Sequence, residues 1–521
     1  MTVVENPLTA VDCVAPVADV EGVRALLGDT DRPCYVVDDD GTIGLTAVPA
    51  PRHTLLAVAG PLPPTQLGSA AFRTAHGTDL AYMAGSMAGG VASEDLVIAM
   101  AREGLLASFG AAGLIPDRIE RALQRFIAEV PDRPWACNLI HSPHEIELER
   151  ATVDLCLRYG VRCVEASAFF DVTPSIVRYR VAGLRRGPDG VPIAENRVIA
   201  KVSRDQVAQR FLAPPPSEIV TDLLAEGAIT AEQAELAMLV PMCDDLTAEA
   251  DSGGHTDRQP LAVLLPAMLR QRDRSGAHSV RVGAAGGLGT PAAVWSAFAA
   301  GADYVVTGSV NQSCRESGTS DAVRALLAEA EPTDCDMAPA ADMFELGVQL
   351  QVLKRGTFFP MRAKKLYALY ASHASLEDIP ALQLEHLETK ILGQSVDEVW
   401  AQCEEYFSRR DPAQLERARN APKRRMALVF RWYLGMASRW ASVGEADRVQ
   451  DYQIWCGPSM GAFNQWVAGT PLAHPAGREV ATVARELMHG AAFAGRICAL
   501  RAAGTVLPAG VEHRPGGGRS S

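Results

Sequence analysis

The sequence predicts an α/β chain: a (β/α)₈ barrel with a small N-terminal β-containing region and a mostly helical C-terminal region. Three observations predict it. Eight short apolar runs alternate with helix-period segments between residues 80 and 309. Together they occupy about 230 residues, the usual size of such a barrel. The last two runs each end in a glycine turn, at GGLG (286–289) and at Gly308-Ser309, where barrels of this kind hold a phosphate after strands 7 and 8.

Residues 1–75 read as a separate small region. Short β-like runs, CYVVDDDGTIGLTAV and HTLLAVAG, surround a DDDG turn and close on PLPP at 61–64. The barrel is expected over 76–330. Its eight runs are LAYMAG (80–85), LLASFG (105–110), WACNLI (135–140), CVEASA (163–168), RVIAKV (197–202), DLTAEA (245–250), VRVGAA (280–285) and YVVTGS (304–309). Helix candidates such as SEDLVIAMAREG, IERALQRFIAEV and PLAVLLPAMLRQR separate them, and the longest gap holds an Ala-rich helical insertion, APPPSEIVTDLLAEGAITAEQAELAMLV. Residues 331–521 read as helices, ADMFELGVQLQVLKRG, LEDIPALQLEHLETKILG, SVDEVWAQCEEYFSRR and KRRMALVFRWYLGMASRWASVG among them. The tail HRPGGGRSS is expected to be disordered.

Composition narrows the function. A chain of 521 residues that is 48% hydrophobic and 21% charged can bury one large core and a smaller domain or two. Its net charge of −13 argues against general nucleic-acid binding. The eleven cysteines form no CxxC pair, as expected of reduced thiols in a cytoplasmic protein. No basic N-terminal leader and no apolar stretch of membrane-spanning length is present, so a soluble, cytoplasmic protein is expected.

Catalytic groups on these barrels come from the C-terminal strand ends. That rule selects the loop after run one, Asn138, Glu165 and Ser167, Lys201, the DSGGH segment 251–255, and the two glycine loops. Lys201 lies in the otherwise apolar IAKVSR, where an ammonium is costly unless it meets an anion or a dipole; the competing reading is a lysine that snorkels to the surface. His255 follows Gly253 and Gly254, which let the backbone crowd a ligand, and imidazole is the natural proton donor near neutral pH. Its alternative is a polar surface residue. His141 and His144 in HSPHE lack the glutamate placement of a helical zinc motif, so metal is not expected. Asp244, Asp245, Glu249 and Asp251 read as solvated carboxylates, and Cys314 as packing rather than a nucleophile.

With these residues in view, the chain resembles the flavin-dependent enoyl reductases of polyunsaturated fatty acid synthases and trans-acyltransferase polyketide synthases, a branch of the nitronate monooxygenase-like barrels. The motifs that carry the resemblance are GSMAGGVASEDLVIAM, NLIHSPHE, VEASAFFDVTPSIVRYR, AKVSR, EADSGGHTD, GAAGGLGTPAA, TGSVNQ, DMFELGVQLQVLKRGTFFPMRAKKLY and GPSMGAFNQW, from about 75 to 470. Cys243 and Leu246 depart from it, standing where alanine and isoleucine are expected.

The resemblance implies FMN, held by Gly85, Ser86, Met87, Asn138, Lys201, Gly253, Gly254, Gly286, Gly287, Gly289, Gly308 and Ser309, with its phosphate at the two glycine loops. Lys201 would stabilise the anionic reduced flavin. It implies NADPH or NADH as hydride donor, an enoyl thioester on an acyl carrier protein as substrate, and polyketide or fatty acid synthase modules as partners. His255 is the catalytic candidate. A flavin oxygenase of nitronate monooxygenase type is the alternative activity, and a homodimer is allowed. Carrier proteins are acidic, so a local basic patch is expected to dock them: Lys354, Arg355, Arg362, Lys364 and Lys365, or Lys423, Arg424 and Arg425. These cations are otherwise solvated helix faces or contacts between protomers.

Overall fold

The computed structural model describes residues 15–141, 146–410 and 412–516. The N-terminal region opens with the helix Val20–Gly28, whose first turn is capped by the Asp19 carboxylate accepting the Gly22 N–H. A three-stranded antiparallel sheet follows, with Cys34–Asp39 between Thr42–Thr46 and Thr54–Ala59. The DDDG turn joins the first two strands through Asp40 at φ 51° and Gly41 at φ 88°, the paired positive values of a tight hairpin. This sheet does not stand alone: Val23, Leu27, Val36 and Leu45 pack with Phe493, Ile497 and Leu500 of the helix Val480–Ala502.

Eight parallel strands close the barrel, and they are the eight runs read from the sequence. They are β1 (Tyr82–Ala84), β2 (Leu106–Phe109), β3 (Ala136–Ile140), β4 (Cys163–Ser167), β5 (Arg197–Val202), β6 (Asp245–Glu249), β7 (Arg281–Ala285) and β8 (Val305–Thr307), with β8 pairing back onto β1. The short helix Ala70–His76 plugs the N-terminal end. Its Phe72 stacks on Tyr304 at 4.3 Å, and its His76 Nε2 lies 2.8 Å from Asp245 Oδ2. Only the opposite end, where the C-terminal strand ends gather, is left to serve as a mouth.

Two expectations need correction here. Asp244, Asp245, Glu249 and Asp251 are not a solvated cluster, because each is taken up separately. Asp244 accepts from Arg180 Nη1 at 2.7 Å; Asp245 accepts from Arg281 Nε at 2.6 Å; Glu249 faces Lys201; and Asp251 accepts from Gln351 at 3.2 Å. Asp245 is fully buried, and although burial opposes its ionisation, His76 and Arg281 hold its pKa below the usual carboxylate value.

The segment ADMFELGVQLQVLKRG is the second correction. It forms a 3₁₀ turn, Phe344–Leu346, and then a strand, Gln349–Leu353. Its VQLQVL alternation has the period of a strand, and Gly347 at φ 70° ends the turn. This strand pairs antiparallel with Cys335–Pro339 on one side and with Gly254–His255 on the other. A small cap sheet therefore grows out of the β6 loop.

The remaining chain is helical, in Phe359–Ser372, Ala381–His386, Val396–Arg410, Pro412–Arg419, Pro422–Val443, Ser459–Val467 and Val480–Ala502. Of the tail expected to be disordered, His513 is buried and bonded to Glu486 at 2.8 Å; residues 517–521 lie outside the described residues. Among the described residues no helix is long and apolar enough to cross a membrane.

Candidate functional site

The mouth is built from strand ends that reach it in register. On β4, Glu165 is fully buried. Its backbone carbonyl accepts from Asn138 Nδ2 of β3 at 3.0 Å, and the same amide donates to Ser167 Oγ at 2.9 Å. Its carboxylate Oε2 accepts the Ser86 N–H at 2.8 Å, so the loop after β1 is anchored to β4 across the barrel. Gly85 is small because it must be: a Cβ there would lie 2.8 Å from Val306 Cγ1 and 3.6 Å from Glu165 Oε1. The carbonyl of Met87 crosses over Gly110 at the end of β2.

Lys201 on β5 does not snorkel. Its ammonium sits 3.0 Å from Glu249 Oε1 and 4.0 Å from Glu165 Oε1. Burial alone would lower its pKa, but the two carboxylates raise it above the ordinary lysine value. The trio carries a formal charge of −1, so Lys201 brings no surplus positive charge to the mouth. Glu165 Oε1 is itself a buried oxygen without a hydrogen-bond partner. Such a group is costly unless a ligand donor reaches it.

The glycines divide into two kinds. At Gly287 and Gly308 an added Cβ would meet nothing within 4 Å, and Gly287 has φ 75°. Among the described residues, no acceptor takes the backbone N–H of Gly287, Leu288, Gly308 or Ser309. These two loops cap the adjacent strands β7 and β8, and they leave donors and space for an anion. The other glycines permit chain crossings. A Cβ at Gly289 would lie 2.1 Å from Ser459 O, at Gly286 2.7 Å from Ala250 O, and at Gly253 2.8 Å from the Cys456 N. The segment Cys456–Ser459 is thus a strap over the site, tied down by the Gly457 N–H donating to Ser309 Oγ at 3.2 Å.

His255 stands in the cap sheet, opposite Leu350. Gly254 before it has φ 84°. Its Nε2 lies 3.2 Å from Asp342 Oδ1, and its side chain is 47% exposed. Desolvation at the mouth works against the imidazolium, but Asp342 and, from β6, Glu249 outweigh it and raise the pKa above the ordinary value. With nearly half the ring open to water, the carboxylates decide. The imidazolium is therefore favoured more here than in a free imidazole.

Other candidates fall outside this site. His141 Nδ1 pairs with Glu149 at 2.7 Å, while His144 lies outside the described residues. Cys314 is fully buried and packed, with its pKa pushed up by burial. Cys243 and Leu246 are both in the core. Of the basic stretches, Lys423 donates to the Tyr370 and His373 carbonyls, Arg424 pairs with Glu345 and Arg425 with Asp397. Arg362 is taken by Asp451, Lys364 by Asp336 and Arg355 by Asp334. These cations hold the fold together, and only Lys354 and Lys365 stand exposed without a partner among the described residues.

Sequence reading missed Asp342, because it placed a helix over that segment. It named Glu165 as a strand end without seeing that its carboxylate binds both Ser86 and, more distantly, Lys201.

Comparison with known proteins adds a frame. The nitronate monooxygenase family profile matches residues 78–355, and residues 373–452 match that of the [acyl-carrier-protein] S-malonyltransferase inserted helical domain. The chain is 45% identical over 500 residues to a Thraustochytrium sp. polyunsaturated fatty acid synthase subunit, covering 93% of this chain and 33% of that protein. It is 43% identical to the polyketide biosynthesis protein PksE of Bacillus subtilis, covering 81% of this chain and 55% of the relative. Both curated relatives are thus substantially longer than the matched region. The crystal structure of the enoyl reductase domain of MlnA, from the macrolactin biosynthesis cluster of Bacillus amyloliquefaciens, superimposes with TM-score 0.80 at 35% identity, covering 85% of this chain and 100% of that domain.

Proposed function

This chain belongs to the nitronate monooxygenase family, in the group that holds the macrolactin enoyl reductase domain, and from that premise we propose that it is an FMN-dependent enoyl reductase. Its substrate is an enoyl thioester on an acyl carrier protein, supplied by a polyketide or polyunsaturated fatty acid synthase, and it acts in trans with NADPH or NADH as donor. The observation that carries the reading is the match over the whole of an enoyl reductase domain. The helical segment similar to a malonyltransferase insert supports a carrier-borne substrate.

The residues present fit the cofactor. Gly287, Leu288, Gly308 and Ser309 offer unengaged N–H groups to its phosphate, and the partnerless Glu165 Oε1 offers an acceptor to a ring donor. Asn138, Lys201 and the Gly85–Met87 loop surround the place left for the ring, with Gly253 and Gly254 lining the cap side. Bound FMN supplies the hydride that reduces the β-carbon of a conjugated thioester.

The protein's share is then the proton and the negative charge. His255, paired with Asp342, delivers a proton to the α-carbon and is left neutral, ready to be recharged from water. Lys201 stays bound to Glu249 and Glu165, so it orients the Glu165 carboxylate rather than supplying net positive charge. The strap Cys456–Ser459 closes over the anion loops through Ser309 and Gly289, while His255 keeps its access to water.

The match of residues 78–355 to a monooxygenase profile favours a second reading, a flavin oxygenase. Mass analysis of the carrier-bound acyl chain separates the two. Gain of two hydrogens after incubation with NADPH supports reduction; an unchanged enoyl chain would overturn it.

A further inference from the structure

His255 is held by the cap sheet, and that sheet is held by the helical region. The turn between strands Cys335–Pro339 and Gln349–Leu353 carries Asp342, Phe344 and Glu345 in succession. Asp342 contacts His255. Phe344 is fully buried and packs edge-on against Tyr367 at 5.5 Å and Phe430 at 6.3 Å, with Tyr370 at 5.2 Å. Glu345 Oε1 takes Arg424 Nη1 at 2.5 Å and Arg431 Nη1 at 3.3 Å. Both arginines and Phe430 lie on one helix, Pro422–Val443.

The Arg424 guanidinium is further fixed by donation to Gln414 Oε1 on the preceding helix. Lys423, next to it, closes over Tyr370 at 4.1 Å from the ring centroid and donates to the Tyr370 carbonyl. The turn therefore has an apolar anchor and an ionic one, both on the helical region, and only two residues, Met343 and Phe344, separate the ionic anchor from the carboxylate that touches His255.

We propose that Glu345, clamped by Arg424 and Arg431, is a positioning residue for His255: it fixes the turn so that Asp342 meets the imidazole. This rests on the reading of His255 as proton donor. It also assigns the helical region a part in the chemistry, because any partner that shifts the helix Pro422–Val443 moves Asp342. The basic residue Arg424 belongs to this clamp and not to a docking face. A displaced carboxylate costs rate more than binding, since the acid is needed only as charge develops on the substrate.

The groups facing His255 are Asp342 from the turn and Glu249 from β6. Glu249 is already matched by Lys201 at 3.0 Å, so Asp342 is the carboxylate free to hold the imidazole's proton. If the turn relaxes, desolvation at the mouth is left less opposed and the pKa of His255 falls.

The test uses the flavin-loaded full chain with ¹³C-labelled histidine, the His255 signal being assigned by its loss in His255→Gln. Glu345→Gln and Arg424→Ala should each lower the His255 pKa and reduce kcat by about tenfold or more, with flavin content and the KM for NADPH unchanged. Arg424→Lys should restore part of the effect, and Arg425→Ala, which breaks the outer pair with Glu377 and Asp397 and the contact with the Trp400 ring but leaves Glu345 untouched, should leave the His255 titration and kcat unchanged. Should Arg424→Ala fail to fold, Glu345→Gln carries the experiment alone. A wild-type His255 titration in Glu345→Gln would overturn the clamp. A shifted titration with unchanged kcat would uphold the clamp and overturn His255 as the proton donor.

Discussion

Lys201 Nζ lies 3.0 Å from Glu249 Oε1 inside the barrel mouth, on neighbouring strands β5 and β6. Glu165 Oε1 lies on the other side of the same ammonium, at 4.0 Å. Removing the lysine leaves two carboxylates without their cation. Lys201→Met is therefore expected to destabilise the fold by about 3 kcal/mol, the lower end for breaking a buried pair because the trio opens partly to the mouth. Denaturant unfolding measures it, and Glu249→Gln, which leaves one carboxylate matched to one ammonium, should cost less.

At the opposite end of the barrel, Asp245 is ionised and held by Arg281 and His76. Its folded pKa is below the unfolded value, which is about 3.9. A group of this kind contributes stability that is present above the unfolded pKa and is lost as pH falls through the folded one. Asp245→Asn should remove that contribution, so that the gap between wild type and variant begins to narrow near the unfolded value of about 3.9 and closes only as pH falls through the lower folded pKa. Parallel unfolding curves across neutral and acid pH check this.

His255 has the opposite sign. Its folded pKa is raised above an unfolded value of about 6.5, so its contribution is fully present below that value and is lost as pH rises through the folded pKa. The same shift keeps the His255 imidazole charged to higher pH than a free imidazole. In Asp342→Asn the alkaline limb of the kcat profile should move to lower pH, whereas His255→Ala should lower turnover by about 10²–10⁴-fold while leaving flavin content intact.

How much of this the sequence carried depends on the range of the interactions. The eight barrel strands were legible because each is a local apolar run, and Lys201 stood out because a charge in RVIAKV breaks that run. His255 was marked by the two glycines before it. Asp342 was not legible, since it meets His255 only after a pairing across 87 residues, and Glu249 looked solvated because its cation comes from the next strand. Lys423, Arg424 and Arg425 read as a surface patch from their spacing alone; their acceptors, Tyr370, Glu345 and Asp397, are distant in the chain.

The two kinds of glycine give separable outcomes. Gly287→Leu places a side chain in the open anion loop at a φ of 75° and should abolish flavin binding with the fold retained. Gly289→Ala drives a Cβ into the Ser459 carbonyl, so the Cys456–Ser459 strap must lift and proteolysis within it should accelerate. Flavin absorbance together with limited proteolysis distinguishes the two.

Anaerobic rapid mixing tests the central claim most directly. The protein is first reduced by NADPH, its excess removed, and then mixed with an enoyl thioester on a carrier protein in the absence of oxygen. The account predicts that the flavin absorbance returns at once, with one saturated thioester formed per flavin. A flavin that stays reduced in the presence of the enoyl substrate, and reoxidises only when oxygen is admitted, would contradict it.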